Sequence, residues 1–96
     1  MNYYESHITI EPVFEEELEK FKNICSKYKF RVAELLLQKR KIDKPEISTK
    51  DSFCTGRFKD LKTAKNDTLS LVEELKENVF TVKRYKVEYI VLDVRL

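Results

Sequence analysis

Ninety-six residues of 11.5 kDa bound this chain, 1–96, to a single domain, because two domains would each fall near the size at which a core fails. With 42% hydrophobic and 38% charged residues, one Gly and two Pro, it reads as a folded domain with a charged surface, which excludes collagen and low-complexity sequence. The net charge of +2 is too small to direct the chain to nucleic acid by bulk electrostatics.

No apolar run approaches the roughly 18 residues of a membrane span, and residues 1–12 lack the apolar region of a signal peptide, so no membrane partner is expected. Cys25 falls on the apolar stripe of an expected helix and Cys54 inside an expected strand, where a free thiol packs as a small hydrophobe. Two cysteines make no disulfide framework, and with one histidine they do not complete a four-ligand metal site, so neither metal nor cofactor is expected. Free thiols and the missing signal together point to the cytoplasm.

In chain order, Tyr3–Glu11 alternates as a strand, with Tyr4, Ile8 and Ile10 on one side and His7, Thr9 and Glu11 on the other. Pro12 ends that ladder and suits the opening of a helix. Phe14, Leu18, Phe21, Cys25 and Tyr28 then form one apolar stripe at helical spacing. Glu15, Glu16 and Glu17 at its start and Lys27 and Lys29 at its end match the helix dipole. Phe30 to Lys41 is read as a second strand because the run Val32–Leu37 is short and a helix has just closed, although Ala, Glu and Leu also suit a helix. Residues 42–52 have loop composition.

Ser52–Phe58 reads as a third strand, Gly56 marking a bulge or a close backbone approach. Asp60 is a helix cap and Asn78 a stop, with Leu61, Ala64, Thr68, Leu71 or Val72, Leu75 and Val79 as the inner stripe. From Thr81 to Arg95 the chain alternates again. Tyr85, Val87, Tyr89 and Val91 share the core side, where packing accounts for the tyrosines, and Arg84, Lys86 and Glu88 share the other.

This order predicts an α+β fold, the ferredoxin-like βαββαβ two-layer sandwich. Two helices cover one face of a four-stranded antiparallel sheet whose first and third strands are central. The uncovered face then gathers His7, Thr9, Phe53, Thr55, Arg57, Arg84, Lys86 and Glu88, with Glu34 and Gln38 or else Lys39 from an edge. An imidazole, two hydroxyls and three cations suit an anion such as a phosphate, Arg binding it as a fork and Lys as a point charge. The ligand set expected is Thr9, Thr55, Arg57, Arg84, Lys86 and Glu88, with His7 as the one candidate catalytic group. An RNA-binding sheet needs two or three exposed aromatics where only Phe53 is a candidate, which disfavours nucleic acid.

His7-Ile8-Thr9-Ile10 resembles the His-x-Thr-hydrophobic element of two-histidine phosphoesterases, in which paired histidines act as acid and base on a phosphoester. That likeness implies hydrolysis of a phosphoester if the protein is an enzyme, with Thr9 bonding the phosphate beside His7. The chain holds one histidine, so the second group of that pair has no counterpart.

His7-x-Thr9-Ile10-Glu11-Pro12, Gln38-Lys39-Arg40, Asp51-x-Phe53-Cys54-Thr55-Gly56 and Arg84-Tyr85-Lys86-x-Glu88 resemble a family of small bacterial α+β proteins of unknown function. In that family the position of Arg57 is often histidine. The alternative function, from a different class, is a protein interaction module or homodimer with no small ligand, for which the long terminal strand is a pairing template.

Overall fold

The computed structural model describes residues 2–32 and 51–91. Their order is β1 (Tyr3–Ile10), α1 (Glu15–Lys27), β2 (Arg31–Val32), β3 (Ser52–Phe58), α2 (Leu61–Glu77) and β4 (Val82–Ile90). The strands form one antiparallel sheet in the order β2-β3-β1-β4, and both helices bury their apolar sides in one core, as the ferredoxin-like arrangement requires. The rest of the strand expected over Phe30–Lys41, with Glu34, Gln38 and Lys39, the loop through residue 50 and the chain after Val91 lie outside the described residues.

Ile8 and Ile10 of β1, Cys54 of β3, Phe21 and Cys25 of α1, and Leu71 and Leu75 of α2 are fully buried. Ser6 shares their face and is equally buried, so its hydroxyl needs a partner. It has one in Thr68, 2.6 Å away. Thr68 donates its own proton to the Ala64 carbonyl at 2.6 Å, so Ser6 is the donor to Thr68. Cys25 and Cys54 are both free and buried, as packing predicts, and the Cys54 sulfur beside it and then burial push the Cys25 thiol well above its ordinary pKa.

The helix ends follow local chemistry. Asp60 caps α2, accepting from the Thr63 amide at 2.8 Å and its hydroxyl at 2.9 Å, which holds the Asp60 carboxyl below its usual range. α1 begins after Phe14, which is extended and has no side-chain cap. Phe14 therefore leaves the helical stripe and stands 44% exposed, while Ile24 joins the core. Leu61 and Val79 also leave the expected stripe of α2 for the surface.

Both helices close with the same paired bonds. Phe30 and Lys29 donate to the Cys25 and Ser26 carbonyls, and Phe80 and Val79 to those of Leu75 and Lys76. In each case the left-handed residue, Lys29 (φ 63°) or Val79 (φ 71°), is followed by a Phe packed against the core.

Gly56 marks a close approach, not a bulge: a Cβ there would stand 3.0 Å from the rings of Phe30 and Phe58. The register irregularity lies instead between β1 and β4, where Thr9 faces Arg84 but Ile10 faces Val82, leaving Lys83 unmatched. Lys83 reaches Asp51, with Nζ 3.1 Å from both carboxylate oxygens.

The side of β4 expected to face the helices is correct, since Tyr85, Val87 and Tyr89 oppose Ile8, Ser6 and Tyr4. Their expected burial is not. Tyr85 is 46% and Tyr89 55% exposed, on a strand that is the last of the sheet among the described residues; Val91, past the strand, is exposed as well.

Candidate functional site

Strand register sets the open face as three transverse rows. Arg31, Thr55, His7 and Lys86 lie across β2, β3, β1 and β4. Arg57, Glu5 and Glu88 form the next row, and Phe53, Thr9 and Arg84 the row on the other side. Every residue expected on this face from β1, β3 and β4 is there, but these residues do not converge on one point.

His7 is held by carboxylates. Its Nε2 is 2.9 Å from Glu5 Oε1 and 3.5 Å from Glu88 Oε1. Lys86 Nζ lies 2.9 Å from the same Glu88 oxygen and holds the Glu88 carboxyl below its usual range, with His7 adding to the effect. The far oxygen of Glu5 is 3.6 Å from Arg57 Nε, and the Arg57 guanidinium sits 5.1 Å over the Tyr3 ring. Glu88, expected among the ligand-binding residues, stands on this face between Lys86 and His7.

The cations do not all share this arrangement. A surface hollow of about 420 Å³ is lined by Lys29, Arg31, Thr55, Gly56, Arg57 and Glu5. Thr55 and Arg57 are among the residues the sequence places on the open face; Lys29, Arg31 and Glu5 are not. Glu5 has the same strand parity as His7, which is the signal that could have found it. Arg31 follows from the two-residue β2, whose register puts it opposite Thr55.

On the far side of β1, Thr9 and Arg84 are paired neighbours next to Phe53, away from that hollow. Among the described residues four cations and two carboxylates thus occupy the strands of the open face, with Lys29 as a further cation at the rim. Among the described residues no trio of His, Cys, Asp or Glu side chains is arranged to hold a metal ion. Nor is any helix there long and apolar enough to cross a membrane. The chain matches no protein-family model, no curated protein and no solved structure.

Proposed function

We propose that the protein binds a phosphorylated or otherwise anionic small molecule on the open face of its sheet, with the anionic group in the hollow between Lys29, Arg31 and Arg57. The observation that carries this reading is the lining of that hollow: Lys29, Arg31 and Arg57 together with Thr55. Two guanidinium forks and an ammonium offer more donors than a carboxylate needs and suit the several oxygens of a phosphate. Glu5 at the same wall takes a hydroxyl or amine of the ligand, so the preferred ligand carries donors as well as negative charge.

The reading is of a binding protein, and two free buried thiols suit a reducing, cytoplasmic setting. If phosphoester hydrolysis accompanies binding, His7 is the proton-transfer group, oriented by Glu5.

An amide chemical-shift titration of the full chain with inorganic phosphate, mononucleotides and 2′,3′-cyclic nucleotides tests this. Saturable shifts at Lys29, Arg31, Thr55 and Arg57, lost in Arg57→Ala, are expected. No saturable shift across the panel overturns the reading.

A further inference from the structure

β4 is the last strand of the sheet among the described residues, and nine residues long. A strand in that position presents unpaired backbone donors and acceptors along its outer side, a template for another strand. Its centre reads Tyr85-Lys86-Val87-Glu88-Tyr89. Reversed, this segment has the same aromatic, apolar and charged positions, with Lys86 and Glu88 exchanged.

Antiparallel self-pairing about Val87 therefore opposes Lys86 to the second copy's Glu88 twice, Tyr85 to its Tyr89 twice, and Val87 to itself on the dyad. No like charges face each other among these five residues. Directly opposite pairs of this kind are what stabilise an antiparallel ladder, and like charges there would destabilise it.

The structure supplies the apolar half of the interface. Tyr85 and Tyr89 lie on the helix side of the sheet with about half their surfaces exposed. Beside Tyr85 a hollow of about 220 Å³ is lined by Lys65, Thr68, Leu69, Lys86 and Val87, and Leu69 is 49% exposed. A second copy's Tyr89, set opposite Tyr85, falls at that hollow. Tyr89 is already ordered in its own chain, its ring 5.0 Å from Tyr4 and its hydroxyl accepting from Asn2 Nδ2 at 2.8 Å, so little freedom is lost when it docks. On the open face Lys86 and Glu88 are both solvent-accessible and 2.9 Å apart, so the two intrachain ion pairs of two copies can exchange for two between copies.

We infer that two copies of this chain pair β4 to β4, in antiparallel register about Val87, into one continuous sheet. This dimer does not depend on the anion hollow, which lies at the opposite side of the sheet beside β2.

Sedimentation equilibrium of the full chain tests it together with reciprocal charge variants. The wild type is expected at twice 11.5 kDa. Glu88→Lys and Lys86→Glu should each weaken association about tenfold to a hundredfold, since each replaces two attractive pairs by two repulsive ones. An equimolar mixture of the two variants restores opposite charges at both pairs and should recover the dimer, as should the double exchange in one chain. Hydrogen exchange of the β4 amides of the wild type should slow as concentration rises.

A wild type that stays monomeric at millimolar concentration, whatever else binds the edge, overturns the inference. So does a dimer indifferent to the single variants, or a mixture that fails to recover.

Discussion

Glu5 and His7, two positions apart on β1, meet on the open face of the sheet, with Oε1 of the carboxylate 2.9 Å from Nε2 of the imidazole. The same carboxylate extends its other oxygen to Arg57 at 3.6 Å, so one side chain joins the only histidine to the wall of the cation-lined hollow. An anion entering that hollow meets the repulsion of Glu5 as well as the attraction of three cations.

Glu5→Gln removes that repulsion and releases Arg57 with little change in shape. Phosphate affinity should rise about two- to fivefold, the scale of one exposed charge pair, and Arg31→Ala should lower it by a similar factor. A phosphate titration at fixed low salt reads both, and added salt should shrink the difference. Unchanged affinity in both variants would place the anion elsewhere.

Gly56→Ala should destabilise the fold. The added methyl would stand 3.0 Å from Phe30 and Phe58, whose ring centroids are 5.7 Å apart in the core. Neither ring can withdraw without disturbing the packing of the helix end onto the sheet, so about 1–3 kcal/mol is expected, the usual cost of overpacking. Urea unfolding followed by circular dichroism measures it, and a midpoint within error of wild type would show that the rings yield freely.

The elements whose signals are local were legible in the sequence. β1 shows in the alternation of Ile8 and Ile10 with His7 and Thr9, and α2 lies between its Asp60 cap and its Asn78 stop. Signals that depend on what lies alongside were not. Tyr85 and Tyr89 alternate as core residues do, yet alternation assigns a side of a strand and not whether a helix reaches over it. The hollow also escaped, because Lys29 comes from a helix end and Arg31 from the strand after it, and only the pairing of Arg31 with Thr55 brings them to Arg57. The bulge sits at Lys83, whose neighbours in sequence give no glycine to mark it.

Val79→Gly should stabilise the protein. Val79 occupies the left-handed position that ends α2, with φ 71°, and is 89% exposed, so its side chain contributes almost no burial there. A β-branched residue in that conformation costs roughly 1–2 kcal/mol, and the extra unfolded-chain freedom of Gly gives back about half of that, leaving a gain of about 0.5–1 kcal/mol. Lys29→Gly, at the matching position of α1, should give a similar gain but weaken phosphate binding, because Lys29 lines the hollow. Thermal unfolding with and without phosphate separates the two effects, and a loss of stability in Val79→Gly would sink the argument.

Stability should fall in alkali for a reason located in the core. Cys54 and burial raise the Cys25 thiol far above its ordinary value near 9, and the hydrogen bond donated to Glu74, 2.7 Å long, raises the Tyr28 hydroxyl. Well below pH 9 both groups are protonated whether the chain is folded or not, and pH has no leverage through them. Above it the unfolded chain releases the Cys25 proton while the folded chain keeps it, so the unfolded state binds fewer protons and stability declines with rising pH. The slope for one thiol approaches about 1.4 kcal/mol per pH unit, and Tyr28 adds to it above pH 10. Cys25→Ala removes the thiol's share and should flatten the profile between pH 9 and 10 even though it lowers stability throughout by leaving a cavity. Urea midpoints measured from pH 7 to 10.5 for both proteins decide the matter: parallel profiles would mean that Cys25 ionises in the folded state, and the close thiol contact would then have no part in alkaline unfolding.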